Sequence, residues 1–298
     1  MFVARRLVEG MWAGRHASVR QGRGLEFHDY RAYAPGDDPG DVDWKLYGRT
    51  NRFYLRRYQQ LTDLNVHLLI DCSASMNFAG LDRHGKAITG NDQLTKLRYA
   101  SALAAAISFL TIRQTDRVGI GVYADRIIEH MPSVGTWAHL KRICNTLEST
   151  EPAYRQGDVG AAMRQAHAIL RQRGTRARGL LVVISDLLDE PGPLFDGINL
   201  FRHDRFDVIV FQVLTSQELD LSGIGASRLR LVDAETRHQV GTDIGMTRSR
   251  YTQIMGQHIT TLRRGCTAAN VDYNLLTTDQ PVTTALRRYL VRRSAARS

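Results

Sequence analysis

Val66-His67-Leu68-Leu69-Ile70-Asp71-Cys72-Ser73-Ala74-Ser75-Met76 is the stretch whose reading decides the fold. Its first five residues are a nearly continuous apolar run of strand length, as expected of a strand covered on both faces in a parallel sheet. The run stops at alternate oxygen-bearing side chains, Asp71, Ser73 and Ser75. Alternate residues in a loop leaving a strand can turn their oxygens towards one point, and oxygen-only ligation suits a hard cation such as Mg²⁺.

Downstream, further apolar runs at Arg117 to Tyr123, Leu180 to Ile184, Asp207 to Leu214 and Val271 to Leu276 read as strands. They alternate with amphipathic helices at Thr95 to Ile112, Trp137 to Leu147, Val159 to Arg171, Arg248 to Arg263 and Val282 to Arg292. In the first helix Leu97, Ala100, Leu103, Ala104 and Ile107 recur at helical spacing. Strands alternating with helices predict an α/β fold with a doubly wound, mostly parallel sheet. Short apolar alternations between Glu218 and Asp243 predict a hairpin inserted before the next helix. There is no internal repeat.

In a doubly wound sheet ligands bind at the carboxyl ends of the strands, beside the topological switch point. Asp71, Ser73 and Ser75 belong at such an end. Asp186, which follows Val182-Val183-Ile184-Ser185, ends a later strand in the same manner and supplies the second half of the site. Two carboxylates and two hydroxyls fill only part of a Mg²⁺ octahedron, which leaves room for water or for a partner's carboxylate. The bland reading is that each Asp serves only as a turn or helix cap.

Upstream the character changes. Gly10 to Asn51 is rich in Gly, Asp, Tyr and Trp with turn chemistry such as Ala34-Pro35-Gly36-Asp37-Asp38-Pro39-Gly40, so extended strands and loops are expected and no long helix. The division is therefore residues 1–60 as a β and loop segment and residues 61–293 as the α/β domain. Gly36 to Asp43 lacks the spacing and closing Glu of an EF-hand, and Asp37 and Asp38 are expected to pair with Arg31 or Arg49 and to cap turns.

The 298 residues are enough to bury a sizeable core, and the 43% hydrophobic and 23% charged content is ordinary for a globular chain. The formal net charge is +10, and from Arg248 onward nine arginines face only Asp272 and Asp279. That distribution fits a nucleic-acid footprint, but also the solvated ends of helices, and stacking aromatics are not interleaved. Three scattered cysteines, Cys72, Cys144 and Cys266, point to a reducing compartment. Met1 to Arg20 lacks the apolar core of a signal peptide, and nowhere do ~18 apolar residues run together, so a cytoplasmic location is expected.

The chain also resembles a known family. Gly14-Arg15-His16-Ala17-Ser18, Gly22-Arg23-Gly24-Leu25-Glu26-Phe27, Arg31-Ala32-Tyr33, Gly36-Asp37-Asp38 and Val42-Asp43-Trp44 stand in order before the Asp71 loop. Leu231-Val232-Asp233-Ala234-Glu235-Thr236, Arg250-Tyr251 and Asp272-Tyr273 follow it. The series is similar to the bacterial domain-of-unknown-function-58 family, which joins such a segment to a von Willebrand factor A-like domain. The resemblance implies a metal-ion-dependent adhesion loop at Asp71, Ser73 and Ser75 holding Mg²⁺, Mn²⁺ or Ca²⁺. It also implies a partnership with a MoxR-type AAA+ ATPase in assembling or activating client proteins. The chain departs from the family pattern at Gly40 and Gly48, and at Gly157, where the third loop of the site usually offers Thr. The cation then keeps one fewer protein ligand unless neighbouring Asp158 swings in, the alternative being that Asp158 caps the helix beginning at Val159.

With no GxSxG elbow, HExxH or P-loop, the expected function is a non-enzymatic, protein-binding adaptor. Metal-assisted hydrolysis at Asp71 and Asp186, and nucleic-acid binding through the basic end, are the alternatives.

Overall fold

The structure is a computed structural model, and it describes residues 25–34, 37–38, 40, 42–60, 64–82, 87–89, 94–172, 179–221, 228–232 and 239–295. The Met1 to Arg20 segment, the Gly14 to Ser18 and Gly22 to Gly24 motifs, and Asp233 to Thr236 lie outside the described residues. The chain divides into two compact units, one within Met11–Asp63 and the other comprising Leu64–Ser298.

In the first unit β1 (Leu25–Ala32) leads into a short helix, α1 (Trp44–Thr50), and then β2 (Tyr54–Gln60), which pairs antiparallel with β1. The helix is a difference from the expectation of strands and loops alone. Its signal is Asp43, whose carboxylate accepts from Lys45 N and Leu46 N as an N-cap. Asp37 pairs with Arg31 at 2.6 Å and accepts from Ala34 N, and Asp38 accepts from Gly40 N, so these acids close turns. Tyr47 and Phe53 stack with ring centroids 4.5 Å apart, and Trp44 meets both edge-on.

The second unit opens with β3 (Asn65–Asp71), a 3-10 turn at Ala74–Asn77, and the small hairpin β4 (Phe78–Leu81) and β5 (Ala87–Thr89). Next come α2 (Lys96–Arg113), β6 (Arg117–Tyr123), β7 (Ile127–Val134), α3 (Trp137–Ser149), α4 (Val159–Gln172) and β8 (Gly179–Ser185). The chain continues through α5 (Gly192–His203), β9 (Asp207–Leu214), α6 (Ser216–Asp220), and the hairpin β10 (Arg228–Val232) and β11 (Gln239–Asp243). It closes with α7 (Ile244–Ala268), β12 (Asp272–Thr277) and α8 (Val282–Ala295).

Six strands form the central sheet in the order β12-β9-β8-β3-β6-β7, all parallel except β7 on one edge. The chain builds outward from β3 through β6 to β7, then returns to the other side of β3 and builds outward again through β8, β9 and β12. This is the doubly wound arrangement the sequence predicts, and its order reverses between β3 and β8.

Both faces of the sheet are covered, which is why β3 and β8 are buried along almost their whole length. On one face Leu69, Leu181, Val183, Val208 and Val210 pack with Met163, Ile198, Phe201 and Leu262 of α4, α5 and α7. On the other, Leu97, Ala100, Leu103, Ala104 and Ile107 of α2 are buried, the positions picked out by helical spacing. Each such Leu, Ile or Phe removed from water contributes roughly 1.5–3 kcal/mol. Gly197 lets α5 approach α4 closely, since a Cβ there would lie 2.6 Å from Met163 Sδ.

Among the elements of this unit that went unread in the sequence are the short β4, β5 and α6, and the longer β7 and α5. Strand β7 carries Pro132 and no clean alternation, and α5 begins Gly192-Pro193, a turn signature that also suits a helix start. Helix α7 runs longer at both ends than its periodicity indicates.

Candidate functional site

Asp71 ends β3 in register with Tyr123 at the end of β6, and Ser185 and Asp186 end β8 on the other side. The switch point thus brings two strand-end carboxylates together at one edge of the sheet. The loop after Asp71 is held by main-chain bonds on both flanks. Cys72 N donates to Tyr123 O, Ala153 N donates to Cys72 O, and Ala74 N donates to Arg155 O.

The Asp71 carboxylate is buried and bonded on both oxygens. Its Oδ1 accepts from Ser73 N at 2.8 Å, and its Oδ2 accepts from Ser185 Oγ at 2.6 Å. Ser185 Oγ in turn accepts from Leu187 N at 3.1 Å. Burial, reinforced by the charge of Asp186, pushes the Asp71 carboxyl up to about 6 despite these hydrogen bonds. The surroundings therefore leave its negative charge only partly compensated. Fully buried beside it is the Tyr123 hydroxyl, whose ionisation is opposed by burial and by the Asp71 charge.

Ser73 and Ser75 bring their hydroxyl oxygens to 3.1 Å from one another. Gly157 lies directly against Ser73 and Asp71, for a Cβ there would sit 3.3 Å from Ser73 Oγ and 3.6 Å from Asp71 Oδ2. The loop aligned by sequence does meet the first loop, and at the position where a Thr side chain would enter the cluster. Asp158 faces elsewhere. Its Oδ1 accepts from Ala161 N at 2.7 Å and its carbonyl from Ala162 N, so it caps α4 and is not turned towards Asp71.

Asp186 is buried at the neighbouring strand end, with Oδ2 2.7 Å from Lys96 Nζ and its carbonyl accepting from Gln212 Nε2. Leu187 follows with φ of 49°, a left-handed conformation that costs a non-glycine residue of order 1 kcal/mol. It persists because its N–H is bound by Ser185 and its carbonyl lies 2.6 Å from His258 Nε2 of α7. Among the described residues no three His, Cys, Asp or Glu side chains converge, so any cation at Asp71 would depend on hydroxyl oxygens as well.

The structure thus brings together Asp71, Ser73, Ser75 and Gly157, and places Asp186 beside them but facing a lysine. Sequence reading missed Ser185, Tyr123, Glu218 and Lys96. Lys96 left a signal, since a cation in the first turn of a helix opposes the macrodipole and calls for a specific acidic partner.

The profile of the family described as "Protein of unknown function DUF58" matches residues 29–261. The uncharacterized protein Rv1480 of Mycobacterium tuberculosis is 29% identical over 236 residues, which are 77% of this chain and 67% of that protein. Among solved structures, a conserved hypothetical protein BatB from Bacteroides thetaiotaomicron aligns with TM-score 0.49 and 17% identity, over 79% of this chain and 100% of that one. The SpRpn10 VWA domain aligns with TM-score 0.41 and 9% identity, over 78% of this chain and 95% of that one. Among the described residues no helix is long and apolar enough to cross a membrane.

Proposed function

We propose that this chain, which belongs to the DUF58 family of proteins of unknown function, is a non-enzymatic binding adaptor that takes a partner protein at the Asp71 crevice. The observation behind this reading is the buried Asp71 carboxyl pushed up to about 6, beside two serine hydroxyls 3.1 Å apart. An incompletely compensated buried carboxylate among neutral oxygens fits a hard divalent cation, Mg²⁺ or else Mn²⁺ or Ca²⁺, and no softer metal. When bound, such an ion would supply a Lewis-acidic point for a partner's carboxylate.

The residues of the chain do the rest. Asp71, Ser73 and Ser75 hold the ion, and Ser185 and the Ser73 N–H orient Asp71, while Asp186 at the adjacent strand end is paired with Lys96. Asp158 stabilises the helix behind the third loop. Ser73 and Ser75 hydrogen-bond each other, an arrangement suited to ligation and not to a nucleophile activated by an imidazole.

The partner we infer is a MoxR-type AAA+ ATPase acting on a client protein. Tagged protein should retain such an ATPase from an extract of its native host in Mg²⁺, lose it in EDTA, and lose it with Asp71→Ala. The purified chain alone should hydrolyse neither ATP nor a phosphate ester. Turnover of either substrate that Asp71→Ala abolishes would refute the adaptor reading in favour of metal-assisted hydrolysis.

A further inference from the structure

Lys96 opens α2, and its side chain is wholly buried. Its ammonium lies 2.7 Å from Asp186 Oδ2 and 2.6 Å from Glu218 Oε1, with the centroid of the Phe78 ring 5.8 Å away. Glu218 is itself fixed, because its Oε2 accepts from Thr215 N at 2.7 Å and Thr215 Oγ1 at 3.1 Å in a capping box at the start of α6. The ammonium therefore joins three places: the end of β8 through Asp186, the end of β9 through the Thr215 cap, and the helix that follows the Asp71 loop.

A buried ammonium is tolerated only when its charge is met by well-placed acids. Here two carboxylates and an aromatic face meet it, and although burial alone disfavours the charged form, Asp186 and Glu218 raise the Lys96 pKa above its ordinary value. A surface ion pair would not need such an arrangement, and a simple packing residue at this position would be apolar.

We infer that Lys96 is a positioning residue for the crevice: by holding Asp186 Oδ2 it keeps that carboxylate from closing around a bound ion, which leaves the ion weakly held and open to a partner's oxygen. This rests on the cation reading of the Asp71 site. The second strand-end acid is engaged by a fixed positive charge that also repels a dication at Asp71. The ion is left with one carboxylate and two hydroxyls, and with no Thr at Gly157 to add another oxygen. Such a site exchanges its ion readily and gains most from an acid brought by a partner.

The test uses the full chain and MnCl₂ as the probe, followed by calorimetry at fixed ionic strength. The double variant Lys96→Met with Glu218→Gln removes one charge of each sign, and Gln still completes the capping box. It is expected to bind Mn²⁺ at least tenfold more tightly than the natural chain, and adding Asp186→Asn should erase the gain. Glu218→Gln alone should give no gain, because Lys96 then holds Asp186 undivided. A folded double variant with unchanged affinity would overturn the inference while leaving the cation reading intact, provided Asp71→Ala abolishes binding. If neither the natural chain nor the double variant binds Mn²⁺, the cation reading falls and the inference with it. A second arm does not require the double variant to fold. Asp186→Asn in the otherwise natural chain should change Mn²⁺ affinity by less than about fivefold, and a loss of tenfold or more would show direct ligation by Asp186 and overturn the inference.

Discussion

Ser185 Oγ donates to Asp71 Oδ2 at 2.6 Å, joining β8 to β3 at the point where the strand order of the sheet reverses. The same oxygen accepts from Leu187 N, so one hydroxyl orients the carboxylate and fixes the left-handed residue of the next loop. Hydrogen bonds to charged groups contribute about 1.5–3 kcal/mol. Ser185→Ala should therefore lower unfolding stability by about 2 kcal/mol at pH 8, read from urea denaturation. It should also raise the Asp71 pKa further, because a bond that favours the charged form is lost. A change within 0.5 kcal/mol, as is usual for a surface serine, would show that the hydroxyl does not hold Asp71 in solution.

Asp71 predicts a pH dependence whose sign is fixed by the direction of its shift. Its folded pKa is raised from 3.8 to about 6, so between those values the folded chain holds a proton that the unfolded chain has released. The stability contributed by protonated Asp71 is complete below about pH 4, declines as pH rises to about 6, and is absent above. The difference is on the order of 2–3 kcal/mol. Asp71→Asn keeps an oxygen for Ser73 N and carries no charge. In metal-free buffer it should be more stable than the natural chain at pH 8 by up to about 2 kcal/mol, with the gap closing towards pH 4. Equal gaps at both pH values would mean that Asp71 is not held under-compensated. Adding Mg²⁺ should raise the Tm of the natural chain more at pH 8 than at pH 5 and leave Asp71→Asn unmoved.

Those two residues also show what could be read in advance. The position of Asp71 was legible because a strand covered on both faces must be apolar along its length, and a sudden Asp at its end is costly unless it has a use. The periodicity of α2 was legible for the same reason, since Leu97, Ala100 and Leu103 must all face the sheet. Ser185 was not, because a serine ending an apolar strand carries no mark of the residue it will meet 114 positions away. The Lys96, Asp186 and Glu218 cluster depends on the ends of three separate segments coming together, which no local period encodes. Strand β7 was hidden by its place at the edge of the sheet, where the alternation is blurred and Pro132 is tolerated.

Asp158 permits a clean separation of structure from ligation. Its Oδ1 caps α4 through Ala161 N at 2.7 Å. Asp158→Ala should cost about 1 kcal/mol of stability, the usual loss of an N-cap, and leave Mg²⁺ affinity nearly unchanged. Asp158→Ser, which can still cap, should recover most of that stability. A tenfold loss of Mg²⁺ affinity in both variants would mean that the carboxylate turns to the ion when the ion is present.

Gly157 is the position where added atoms would enter the cluster itself. A Cβ there meets Ser73 Cβ and Oγ at 3.3 Å, close enough that Ser73 must yield by a few tenths of an ångström. Overpacking of this kind costs roughly 1–3 kcal/mol, and the cost should be similar for Gly157→Ala and Gly157→Thr. The two differ in the hydroxyl. Thr offers a further oxygen beside Asp71, where the ion otherwise relies on Ser73 and Ser75, so Gly157→Thr should bind Mg²⁺ several-fold more tightly than the natural chain. Gly157→Ala should show no gain, because it crowds Ser73 without adding a ligand. Calorimetric titration gives the affinities, and thermal unfolding in metal-free buffer gives the shared cost of the Cβ. Equal affinities for the Thr and Ala variants would mean that position 157 does not face the ion, whereas a gain confined to Thr identifies the third loop as part of the site.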